Sequence, residues 1–204
     1  MAEIRHRIDV INKVLSELET GSSLTSYREI DIEVIFLQLR HCLELIMFAS
    51  LSAHYHYGYE LSQKILKKEY NATKLLRFIK TKNPSFYPSP AETKPIKHPN
   101  GLFEAVPITE GFLTQDDFCR LYDQACGWML HAQRDNKFNK GHEELIKEAT
   151  EYRNKLVRLI DCHWISLTDD ICLQVLMRHP TTGTVLVMVM QSAESINREI
   201  RASG

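Results

Sequence analysis

Residues 38–51 (Gln38-Leu39-Arg40-His41-Cys42-Leu43-Glu44-Leu45-Ile46-Met47-Phe48-Ala49-Ser50-Leu51) constrain this chain more than any other stretch. They read as one helix that passes from amphipathic to apolar on nearly every side. Such a helix leaves no face for water and belongs in the middle of a bundle. It nevertheless carries Arg40, His41 and Glu44 within about a turn and a half. Arg40 and Glu44 stand four residues apart, so the carboxylate can be paired and need not be buried alone. The expectation is a central helix with a polar core cluster of Arg40, His41 and Glu44. In an apolar setting the carboxylate and imidazole could serve proton transfer; as a bonded group they would fix the helix in register.

The chain has 204 residues, 44% hydrophobic and 25% charged, which suits one soluble domain with its own core. A formal net charge of -1 exerts no global pull toward nucleic acid or acidic membranes, so any such binding needs a local patch. Five cysteines, odd in number and without CxxC spacing, read as reduced thiols of a cytoplasmic protein. The charged N-terminus has no signal-peptide core, and no apolar run approaches the roughly 20 residues of a spanning helix. No membrane association is expected.

Apolar residues at helical spacing predict a first helix up to Thr20 and a second from about Arg28 to about His56, ending near Gly58. A third is predicted from Tyr59 to Lys82, closed by Asn83-Pro84. A proline-rich excursion follows over 84–112, anchored by residues such as Phe86 and Tyr87, with a small hairpin possible at Pro99-Asn100-Gly101. Thr114-Gln115-Asp116-Asp117 resembles a capping box and opens a fourth helix. The fifth starts after Gly141 and extends its stripe through Leu156 and Leu159 toward His163. The apolar runs around Pro180-Thr181-Thr182-Gly183 predict a β-hairpin within 166–191, and 192–204 is a polar tail. The fold class expected is therefore a single, mainly α domain. It is an up-and-down bundle of about five helices over 1–165, with a small C-terminal β-hairpin. The apolar second hairpin strand and the long central helix predict a homodimer.

Phosphate-loop, dinucleotide-glycine, GxSxG, HExxH and EF-hand patterns are absent, and no metal site or cofactor is expected. His54 and His56 are two apart on a helix, poor geometry for one metal. Lys67, Lys74 and Arg77 lie on the side of the third helix away from its apolar stripe, a ridge able to follow a phosphate backbone. His131 and Arg134, one turn apart near the end of the fourth helix, adjoin a polar loop that could face a ligand.

Arg158 and His163 close the fifth helix with an Arg-x4-His spacing. This resembles the Arg-x4-6-His signature of the HEPN superfamily of small helical domains, and the long helices and late motif are similar too. Many HEPN domains are metal-independent endoribonucleases acting as dimers; others bind nucleotides or RNA without catalysis. The resemblance implies that Arg158 would hold the scissile phosphate and His163 would act in proton transfer. RNA brings its own 2′-hydroxyl nucleophile, so one cation and one acid–base group could suffice. The reading adopted is a non-enzymatic HEPN-like interaction module binding a protein partner or nucleic acid. The resemblance places such modules in stress or phage-defence settings. The alternatives are an endoribonuclease using Arg158 and His163, and a small-molecule sensor with a pocket between the second and fifth helices.

Overall fold

The computed structural model describes residues 1–56, 71–94, 96–99, 101, 103–129, 140–192 and 194–195. Helix α1 (Ala2–Glu19) buries Ile4, Ile11, Val14, Leu15 and Leu18, a stripe at steps of three, four and seven. Helix α2 (Arg28–His56) is the long apolar helix foreseen above. Its buried residues include Ile32, Ile35, Phe36, Leu39, Cys42, Leu43, Ile46 and Met47, and it packs against every other described helix. These are α1, α3 (Ala72–Lys82), α4 (Gln115–Met129) and α5 (His142–Ile160). By length and composition α2 could cross a bilayer, yet half of its most apolar window is buried inside the protein, as in a bundle's central helix.

The third helix departs from expectation at its start. Asn71 is in an extended conformation, and its side-chain oxygen accepts from the backbone N–H of Lys74 at 2.9 Å, so α3 begins at Ala72. The predicted beginning at Tyr59 lies outside the described residues. The capping box of α4 forms as read, with Asp117 N–H donating to Thr114 Oγ1 at 3.1 Å and Thr114 N–H donating to Asp117 Oδ2 at 3.3 Å. The proline-rich excursion is pinned by Phe86, fully buried, and by Tyr87, whose hydroxyl donates to the Leu113 carbonyl at 2.9 Å. Within it β2 (Ile96–Lys97) and β3 (Phe103–Glu104) form a short antiparallel hairpin.

The fold class read from the sequence, a helical bundle with one small hairpin, is corrected by the sheet. Strands β1 (Ser89–Pro90), β4 (Cys162–Ser166), β5 (Ile171–Leu176) and β6 (Leu186–Gln191) form one four-stranded antiparallel sheet in the order β1-β4-β5-β6. The architecture is a mixture of α and β. The predicted hairpin is its β5–β6 part, with Val175 opposite Val187 and Leu173 opposite Val189. The unforeseen strand, β4, follows α5 with only Asp161 between them. The helical stripe reads through this junction without a glycine or proline to mark it. The sheet closes it instead: Met177 N–H donates to the Asp161 carbonyl at 2.8 Å, and Ala91 N–H to the Cys162 carbonyl at 2.9 Å.

The inner face of the sheet carries His163, Ile165 and Val175, each no more than 2% exposed. Helix α5 packs on β1 and β4. Cover fades across the sheet, so Val187 and Val189 of β6, on this same face, are 53% and 60% exposed. Phe36, fully buried on the central helix, is among the largest side chains of the core. Phe36→Ala is expected to cost about 3–5 kcal/mol in urea unfolding followed by circular dichroism; a loss below about 1 kcal/mol would mean that α2 is not the packed centre.

Candidate functional site

Arg158 and His163 are not brought together. Arg158 is exposed on α5, and its Nε donates to the Glu110 carbonyl at 2.9 Å. Its side chain lies across Gly111, whose φ is +76° and where an added Cβ would meet the arginine stem at 3.3 Å. The positive φ favours glycine there, and any larger residue would also have to displace the arginine stem slightly. A hollow of about 380 Å³ beside it is lined by Arg153, Asn154 and Arg158, but also by Glu92 and Asp161, so its charge is mixed.

His163 does not sit at a helix terminus. It lies in β4, fully buried, with Nδ1 donating to the Ile160 carbonyl at 2.9 Å and Nε2 without a partner among the described residues. Burial pushes its pKa down to about 4, with the bond to Ile160 opposing. The imidazole is therefore neutral at pH 7 and closed to solvent. Cleavage chemistry would require it to leave the core.

Arg40, His41 and Glu44 do assemble, on a half-buried flank of α2. Arg40 Nε donates to Glu44 Oε1 at 3.0 Å, and His41 Nδ1 lies 3.2 Å from Glu44 Oε2. Tyr122 of α4 adds its hydroxyl to Glu44 Oε1 at 3.2 Å, and the Arg40 guanidinium lies over the Tyr122 ring, 5.5 Å from its centre. Both carboxylate oxygens are engaged, which makes the cluster a tie between α2 and α4.

Lys74 and Arg77 are exposed on α3, as the ridge predicts, whereas Lys67 lies outside the described residues. The ridge is not purely basic in three dimensions. Arg77 and Lys80 share the surroundings of Cys119 with Asp116 and Asp123 of α4. His131 and Arg134 also lie outside the described residues.

His54 and His56 part company: His56 is exposed, while His54 is buried. His54 Nδ1 donates to the Ser50 carbonyl at 2.7 Å, and its Nε2 accepts from Asn83 Nδ2 at 2.8 Å, a tautomer that follows from the bonding pattern. Asn83 Nδ2 also reaches the Ser166 carbonyl at 2.6 Å. Burial lowers the His54 pKa, opposed by backbone hydrogen bonds. No group of three or more His, Cys, Asp or Glu side chains suited to a metal occurs among the described residues.

The feature that sequence reasoning located only in part is the free edge of the sheet. Strand β6, Leu186-Val187-Met188-Val189-Met190-Gln191, has no charged residue, and no strand pairs with its outer side among the described residues. Half of an edge strand's backbone donors and acceptors point outward. The apolar run was visible in the sequence; that the helices stop short of it was not. No family model matches this chain, and neither characterised proteins nor solved structures gave a match.

His163 sets a pH dependence. Between its ordinary pKa of 6.5 and about 4 the unfolded chain binds the proton and the folded chain does not, so stability is greatest above pH 6.5 and falls as pH drops toward 4. The loss expected from this residue is up to roughly 3 kcal/mol. Urea midpoints near pH 7 and pH 5 measure it, and His163→Leu should flatten the difference. An equally steep dependence in that variant would assign the effect elsewhere.

Proposed function

We propose that this chain is a non-enzymatic interaction module that works as a homodimer, pairing β6 of one copy with β6 of a second. The observation that carries this reading is the uncharged six-residue edge, with Val187 and Val189 more than half exposed beside it. Edge strands that stay single in water usually carry lysine, proline or a bulge, or are covered. Strand β6 has no lysine or proline. A second copy offers the same apolar, uncharged edge in antiparallel sense. Two-fold pairing would join the two sheets and bring the four valines into side-by-side cross-strand contact.

A protein partner is favoured over nucleic acid because Arg77 and Lys80 of α3 share their surroundings with Asp116 and Asp123 of α4. The interaction role implied by the HEPN resemblance is retained. Its cleavage role is not, since His163 is sealed in the core and Arg158 is engaged by the loop at Glu110.

Light scattering coupled to size exclusion tests the proposal. The unmodified chain should elute as a dimer at tens of micromolar. Val189→Lys, a change at a position already 60% exposed on the uncovered part of the inner face, should yield a folded monomer with an unchanged helical circular-dichroism signal. A monomer in the unmodified chain at all concentrations, or a dimer indifferent to Val189→Lys, would overturn edge pairing. In EDTA, neither the unmodified chain nor Arg158→Ala should cut single-stranded RNA; cleavage that Arg158→Ala abolishes would restore the nuclease reading.

A further inference from the structure

The outer face of the sheet differs from the inner one. On it stand Trp164, Cys172, Gln174, Leu176, Met188 and Met190, all partly exposed and mostly apolar. Where the β2–β3 hairpin approaches this face there is a cavity of about 500 Å³, within the range of roughly 300–1,000 Å³ typical of small-molecule sites. Trp164, Cys172 and Met190, from three adjacent strands, contribute apolar side chains to its lining.

The rim carries three carboxylates. It is formed by the turn Thr168–Asp170 on one side and by His98 and Glu104 on the other, with no lysine or arginine in the lining among the described residues. Two of its three carboxylates have partners. Glu104 is paired with His98 at 2.8 Å, and Asp170 Oδ1 accepts from Ser192 Oγ at 3.0 Å. Asp169 is exposed, and its carboxylate has no side-chain or backbone partner among the described residues. An indole beside an uncompensated carboxylate attracts positive charge twice over. The ring face carries negative potential, and the carboxylate supplies a full negative charge at the mouth of the same cavity.

We propose that this cavity binds a small organic cation, a protonated amine on an aromatic or alkyl body. The ammonium group sits at Asp169, and the body lies against Trp164, Cys172 and Met190. An anion of the same shape meets three carboxylates and is excluded, and a neutral analogue lacks the charged contact. The site is separate from the outer backbone edge of β6, so it does not rest on dimer formation.

The test uses the full, isotopically labelled chain and phenethylamine as the probe, with phenylacetate as its anionic counterpart. Phenethylamine should produce saturable shifts in the Trp164 indole N–H and in the backbone amides of Thr168 to Cys172. Asp169→Asn, a change at an exposed turn, should weaken that binding about tenfold while leaving the remaining spectrum in place. Phenylacetate should give no saturable shift. Three results would each overturn the proposal: shifts elsewhere in the chain, equal response to both probes, or affinity unchanged by Asp169→Asn. Absence of saturation with phenethylamine at its solubility limit would overturn it as well.

Discussion

Everything in this molecule is arranged around the burial of one 29-residue helix. The apolar surface of α2 is too wide for a single neighbour to cover. The chain meets that constraint by packing α1, α3, α4 and α5 around it. The fully buried Ile35, Phe36, Leu39, Leu43 and Met47 are the common ground of these contacts. Burial of apolar area is non-directional, so it explains why the helices gather but not how they are oriented.

Orientation comes from a few polar ties whose geometry is demanding. Glu44 is held by Arg40 and His41 from its own helix and by Tyr122 from α4, which limits how α4 can rotate against α2. His54 and Asn83 connect the end of α2 to the segment after α3, and Asn83 continues to the Ser166 carbonyl of β4. His54 and Asn83 are buried, and Glu44 is partly buried. Removing one member would leave its partners unsatisfied, which costs more than the bond itself contributes. The helical part and the sheet are thereby tied together at the far end of β4, away from its junction with α5.

The helices were legible because their apolar periods are long and their caps conventional: the stripe of α1, the run of α2, and Thr114 with Asp117 on α4. The β5–β6 hairpin was legible from two apolar runs around Pro180-Thr181-Thr182-Gly183. Strand β4 was not, because His163 falls where the α5 stripe would place its next residue. Only long-range bonds from Ala91 and Met177 show the chain to be extended there. That error spread to the site. On one continuous helix Arg158 and His163, five residues apart, would already diverge by about 140°; across the helix–strand junction the separation is complete, with one facing solvent and the other the core. The cluster at Glu44 was legible because it is local, four residues along one helix. The β6 edge and the cavity at Trp164 depend on what other elements fail to cover, and no local pattern encodes that.

The order of strands also bears on how the molecule is made. Strands β5 and β6 are joined by residues 177–185, and β4 leads into β5 across Leu167 to Asp170, so both pairings are local in the chain. Strand β1 is different: Ser89 must find Trp164, with α4 and α5 between them in the chain. Closing a loop of that size carries a larger entropy cost before any bond forms. The two-residue β1 offers little in return until α5 is already docked. The β1–β4 ladder is thus the one part of the sheet whose pairing depends on the helices: the meander of β4, β5 and β6 is local in the chain, while its β4 margin is closed by a segment more than seventy residues upstream.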